Sequence, residues 1–396
     1  MSIYSVRLFS IVWGGVFVAS WFVFVRAISR NESLALVVAV LVAFDYSVMA
    51  AASDGRMDMM CAALGLAALA FYASWRENDR LWTAVMVGVC GAGCLLSHPM
   101  GLVMNAVLLA IVLCDRDGLR ARFVTALVVP YVVFGGAWLI YILQDPGLFV
   151  AQMKANAGYR VGGVIATVGS MVRDLPDRYV QFYFAPEGGW HRFKALVPLF
   201  GLTGLVMLVA DSRERRSALV RRLIMMLVVA SLGVAALDNR KFPYYLVYVM
   251  PVLAALGGVW LYRSLSAGPA VRWLALSLAT AFVGANAANV GYYIRRNDFA
   301  REYRPMVAEI QKLRKPGAVV MGPSELGYAL GFRRPLIDDC YLGRVSGIRA
   351  QLYVLHSSCG PMEGSEAAWA WTEQQLRENY REVYRNPAYT VYERKE

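Results

Sequence analysis

Two carboxylates and a guanidinium stand together in Asp54-Gly55-Arg56-Met57-Asp58, between two apolar runs each long enough to cross a bilayer. A carboxylate can take a proton from a reacting hydroxyl, and a guanidinium can hold an anion. A charged island at a membrane surface therefore marks either a site or a lipid head-group contact. A structural reading stands beside it: Asp54 and Asp58, four residues apart on about the same helical face, would cap the helix that follows and suit its dipole. A second polar stretch, Asp238-Asn239-Arg240-Lys241-Phe242-Pro243-Tyr244-Tyr245, opens a later apolar run. There Arg240 and Lys241 would act as a phosphate site or as head-group anchors. Asp45, near the end of its run, reads as a carboxylate solvated at the interface.

The elements that must position these residues follow from composition. The chain has 396 residues, 58% of them hydrophobic, and its apolar residues come in blocks. That is more than one soluble core uses. Ten blocks approach the length needed to span about 30 Å of hydrocarbon. They run near Leu8 to Val25, Ser33 to Ala51, Met57 to Ser74, Leu81 to Leu96, Met100 to Cys114, Phe123 to Leu143, Ala195 to Ala210, Leu223 to Leu237, Phe242 to Tyr262 and Val271 to Ile294. The fourth and fifth are short and meet at Ser97-His98-Pro99, which suggests one bent pair of partial spans. The expected fold is an all-α polytopic membrane bundle over residues 1–294, with about ten transmembrane helices.

Loop charge gives the orientation. Arg26 and Arg30, Arg76 and Arg80, Arg116 to Arg122, Arg213 to Arg222, and Arg263 and Arg272 fall in alternate loops, and the opposite short loops carry only Arg56, Arg240 and Lys241. By the positive-inside bias the first set is cytoplasmic, which places the Asp54 to Asp58 island, the 144–194 loop and the C-terminal tail outside a cytoplasmic membrane. The net charge of +12 is then accounted for by topology and anionic lipid, with no nucleic-acid partner.

Beyond residue 294 the blocks stop and charges of both signs become dense. Short β-prone runs at Ala318 to Met321, Gln351 to Leu355 and Tyr389 to Tyr392 alternate with helical spacing at Pro305 to Leu313 and Ala367 to Tyr380. Residues 295–396 are thus expected to form a small extracytoplasmic α/β domain. The 144–194 loop, rich in Gly and aromatics, is expected to lie along the membrane surface. Cys61, Cys90, Cys94 and Cys114 read as packing residues. Cys340 and Cys359, in the external domain, are a candidate disulfide, with separate thiols the equal alternative. His191 and His356 have no metal-ligand spacing, so a structural zinc site is not expected.

The order of these motifs resembles that of the polyprenyl-phosphate-sugar-dependent glycosyltransferases of superfamily C, among them protein O-mannosyltransferases and the aminoarabinose transferase of lipid A. The matching features are Arg7-Leu8 opening the first span, Phe44-Asp45-Tyr46, Asp54 to Asp58, Ser97-His98-Pro99-Met100-Gly101, and Asp238 to Tyr245 followed by Pro251. The resemblance implies sugar transfer from a lipid-linked donor to a lipid, glycan or protein acceptor. On that reading Asp58 and Asp54 are the catalytic or metal-side carboxylates, and Arg56, Arg240, Lys241 and His98 bind donor phosphate. Tyr244 and Tyr245 would shape donor and acceptor access, and a Mg²⁺ or Mn²⁺ held by carboxylate and phosphate is compatible with it. His98 equally suits a hydrogen-bonded helix break. Relative to the family pattern the chain starts at the Arg-Leu position, so the resemblance also implies an upstream span and acidic loop, or a silent relative acting as a binding subunit in envelope assembly. A lipid or solute carrier is the third alternative; it would be expected to show paired inverted halves.

Overall fold

A computed structural model describes residues 3–115, 120–147, 149–150, 153, 164–184, 193–239, 241–332, 336–339, 341–344, 347–357, 359–360 and 366–395. These residues form two compact units, Val6–Val290 and Gly291–Glu396 with Met1–Ser5.

The larger unit is helical. Among the described residues seven helices are long and apolar enough to cross a membrane: Tyr4–Ser29, Met57–Asn78, Ala121–Ile142, Phe193–Ala210, Ala218–Leu237, Pro243–Ser264 and Pro269–Leu313. A bent pair of helices would make an eighth candidate span. Helix α2 (Glu32–Ala43) and α3 (Tyr46–Ser53) meet at a bend of 62°. Asp45 makes the break, since its carboxylate accepts from the Ser47 amide and hydroxyl and so starts a new helix. Leu81–Ser97 and Gly101–Cys114 are shorter apolar helices on either side of His98. The fourth and fifth blocks are thus two helices shorter than a full span, and the second block is also bent. Asp45 is buried, which corrects the reading of it as a solvated interfacial group.

Packing sorts these helices. The Pro243–Ser264 and Met57–Asn78 segments are mostly enclosed by protein, whereas Ala121–Ile142 is largely open to the surroundings. Close approach of backbones is the means: a Cβ on Gly204 would lie 2.7 Å from the Gly257 Cα, so small residues seat the helix Leu196–Ala210 against Met250–Ser264. Without a hydrophobic force between helices in lipid, such contact is the main source of adhesion. At the end of the bundle where Met57–Asn78 terminates, basic residues close onto acids: Arg120 and Arg122 on Asp79, Arg222 on Asp115, and Arg263 on Glu214. The Asp58 end lies about 30 Å away along that helix.

The smaller unit is a five-stranded mixed sheet of order β2-β1-β3-β5-β4, with β1 (Val320–Met321), β2 (Leu336–Ile337), β3 (Leu352–His356), β4 (Tyr380–Arg385) and β5 (Tyr389–Arg394). Residues alternate between two faces. Val320, Leu352, Val354 and Val391 pack on the helix Arg304–Leu313 through Met306 and Ile310, while Met321, Tyr353 and Tyr380 pack with Leu376 of Glu366–Asn379. The expected strands are present. The two not anticipated are β2, only two residues long, and β4, whose Tyr380 was read as the end of the preceding helix. Cys340 falls outside the described residues, and with it the candidate pair with Cys359.

Candidate functional site

The island begins as the broken span ends. Asp54 is the C-cap of α3, and Gly55 turns the chain at φ +73°, a conformation L side chains rarely adopt. Arg56 then precedes the helix Met57–Asn78, with Asp58 in its first turn. Asp54 and Asp58 therefore sit on different elements, which corrects their placement on one helical face.

Asp58 is buried at 2% exposure. Its Oδ2 lies 2.7 Å from Arg56 Nε, and its Oδ1 makes no hydrogen bond among the described residues, with His98 Nε2 standing 3.6 Å away. The carboxylate is thus held by a guanidinium rather than spent on capping backbone N–H groups. The turn between the two short helices positions His98. Its Nδ1 accepts the Met100 amide at 3.1 Å, which assigns the remaining proton to the Nε2 that faces Asp58.

The Pro-Tyr stretch closes the site. Residues Pro243–Tyr248 form a 3₁₀ helix, placing Tyr244, Tyr245 and Tyr248 on one short segment. The Arg56 guanidinium lies 4.3 Å from the Tyr244 ring centroid, the Tyr245 ring is 5.8 Å from that of His98, and the Tyr248 hydroxyl donates to the Asp58 carbonyl. Tyr245 and Tyr248 are buried and Tyr244 is exposed, so Tyr244 and Arg56 form the rim. Asp54 is exposed at that rim. The protein packed around it raises its pKa, with Arg56 and Arg7 pulling the other way.

Lys241 belongs to a different assembly. Its Nζ lies 3.1 Å from Asp174 Oδ1 and donates to the Ala235 carbonyl at 2.9 Å. Arg178, 1% exposed, pairs with Asp174 and Asp238 at 3.0 Å each and donates to the Phe242 carbonyl at 2.6 Å. Burial lowers the Lys241 pKa, and Asp174 opposes that shift. Two acids and two bases cancel here, so the phosphate role expected of Lys241 gives way to a clasp. Arg240 lies outside the described residues. Asp174 and Arg178 come from the segment expected to lie on the membrane surface, in which the helix Val164–Asp174 packs against Ala218–Leu237 and leads into the π-helical turn Leu175–Val180. A signal was available: Asp174 and Arg178 stand at i,i+4 spacing just before the aromatic run that starts at Tyr179.

Among the described residues no three or more His, Cys, Asp or Glu side chains gather as a metal site would require. Asp58 already faces a guanidinium and an imidazole N–H on its two oxygens. Cys61 and Cys94 meet at 3.5 Å between sulfurs, both buried. No protein-family model matches the chain, and no curated protein matches it either.

Proposed function

We propose that the chain is an integral-membrane glycosyltransferase that moves a sugar from a polyprenyl-phosphate donor to an acceptor hydroxyl at the outer face of a cytoplasmic membrane. The observation that carries this reading is Asp58: a buried carboxylate with one oxygen fixed by a cation and the other without a hydrogen bond. A buried acceptor left unpaired is costly, which makes Oδ1 a ready partner for a substrate hydroxyl.

In this reading the acceptor hydroxyl donates to Asp58 Oδ1. As its oxygen attacks the anomeric carbon, the proton passes to Asp58 and the bond from that carbon to the phosphate oxygen breaks. The phosphate leaves with its electron pair, and Arg56 at the rim stabilises the charge that gathers on it. His98 Nε2–H is directed at the same carboxylate and keeps its orientation. Tyr244 flanks the guanidinium, which restricts it to the rim side. The loop-charge bias supports the outward orientation.

The test is transfer of radiolabelled sugar from a polyprenyl-phosphate donor by membranes containing the chain. Asp58→Asn keeps the size of the side chain and removes its basicity, so transfer should fall by about 10²–10⁴-fold, the usual weight of a general base. Wild-type transfer by that variant would remove Asp58 from the chemistry.

A further inference from the structure

Cys61 and Cys94 take no part in the chemistry proposed above, yet each stands about one helical turn from a residue that does. Cys61 follows Asp58 on the helix Met57–Asn78, and Cys94 precedes His98 near the end of Leu81–Ser97. Both are fully buried. Their sulfurs lie 3.5 Å apart, in van der Waals contact. The two thiols also cross over each other: that of Cys94 donates to the Cys61 carbonyl at 3.2 Å, and that of Cys61 to the Cys94 carbonyl at 3.6 Å. The Ser97 hydroxyl donates to the same Cys94 carbonyl at 2.8 Å, which ties the pair to the turn that carries His98.

Two sulfurs in contact can be joined, and joining them moves the helices. A disulfide bond is about 2.05 Å long, so its formation closes the gap by about 1.5 Å. One turn away, His98 Nε2 stands 3.6 Å from Asp58 Oδ1, beyond hydrogen-bond range. An N–H donor needs about 2.7–3.2 Å, so an approach of roughly half an ångström is enough. Part of the movement at the sulfurs, carried along two rigid helices, therefore places the His98 N–H on Asp58 Oδ1. That is the oxygen left open for a hydroxyl.

We propose that Cys61 and Cys94 form a peroxide-sensitive lock on the Asp58 site: free thiols leave Oδ1 open, and their disulfide brings His98 onto it. The proposal rests on the reading of Asp58 as the group that accepts the proton. Burial keeps protein thiol oxidases away, so the oxidant is hydrogen peroxide, which is small and uncharged. One cysteine sulfur attacks a peroxide oxygen and the O–O bond breaks; the departing hydroxide takes the thiol proton as water, leaving a sulfenic acid. The second sulfur attacks the sulfenic sulfur, the S–O bond breaks, and that hydroxide leaves as water with the second thiol proton. The sulfurs together give up the two electrons that the peroxide gains. The first step is slow for a buried thiol and sets the threshold; the second is fast because the sulfurs already touch.

The experiment treats the full chain in detergent with hydrogen peroxide, alkylates the remaining thiols, digests without reductant and reads the peptides by mass spectrometry. A cross-linked pair of peptides holding Cys61 and Cys94 should grow with peroxide, while Cys90, buried on the same helix as Cys94, stays alkylated. Sugar transfer by the wild type should fall by about tenfold or more in step with the cross-link, as loss of a general base requires. Cys61→Ala and Cys94→Ala should transfer like the untreated wild type and keep that rate in peroxide; Cys90→Ala should lose it as the wild type does. Free thiols at both positions in protein whose exposed Cys114 is oxidised would overturn the lock, with no variant needed. So would cross-linked protein that transfers at full rate, or equal loss in Cys61→Ala and the wild type. A cross-link in a wild type that transfers no sugar before treatment would overturn the transferase reading and leave the joining of the two thiols standing.

Discussion

Two clusters of buried charge flank the Pro-Tyr segment, and they are built on opposite principles. The clasp of Asp174, Arg178, Asp238 and Lys241 is closed: two carboxylates meet two cations, and the most buried member, Arg178, also reaches the Phe242 carbonyl. The Asp58 cluster is open, with one oxygen paired to a half-exposed Arg56 and the other without a hydrogen bond. With its charges balanced, that cluster offers a substrate little net charge. What it does instead is fix the chain immediately before Pro243, and so set where Tyr244, Tyr245 and Tyr248 meet Arg56, His98 and Asp58. Charge alone does not identify a site; unsatisfied charge beside an accessible rim does.

The sharpest way to break this comparison is to remove Arg178. Arg178→Ala would leave Lys241 alone to balance two buried carboxylates, Asp174 and Asp238, a loss of about 3–5 kcal/mol, and the expected result is a large fall in folded protein measured by size-exclusion fluorescence. A normal yield would show that the clasp is not closed in the sense argued. Asp58→Asn should do the reverse, with yield and thermal midpoint near wild type and transfer lost.

Lys241 separates the two clusters more finely. In Lys241→Met the pairing of Asp174 with Arg178 remains, so thermal stability should fall by an amount smaller than for Arg178→Ala, and the KM for donor should stay unchanged. A raised KM with unaltered stability would return Lys241 to the phosphate. The smallest effect is expected at the rim. Tyr244→Ala removes one cation–π contact of roughly 0.5–1 kcal/mol at an exposed position, so donor KM should rise by only a few-fold, read from initial rates at varied donor.

The sequence made some of this legible and hid the rest for physical reasons. Apolar blocks and the Asp54 to Asp58 island are local properties, and so is the alternation of Leu352, Tyr353 and Val354 that feeds the two faces of the small sheet. Asp58 and His98 were both singled out as residues, but their approach depends on packing of helices forty positions apart. Arg178 finds Asp238 across sixty residues, and no periodicity announces such a pair. The break at Asp45 went unread because a single capping carboxylate inside an apolar run looks the same as one at its solvated end. The strand Tyr380–Arg385 is not legible in the sequence because a charged, alternating strand at a sheet edge carries little apolar signal.

The most direct measurement is sugar transfer from a radiolabelled polyprenyl-phosphate donor, made side by side with wild type and Asp58→Asn at equal membrane levels. Transfer by the wild type and a loss of about a hundredfold or more in the variant is the result expected if Asp58 takes the acceptor proton. Equal transfer by both, or none by a wild type that is folded and holds polyprenyl phosphate, would contradict it.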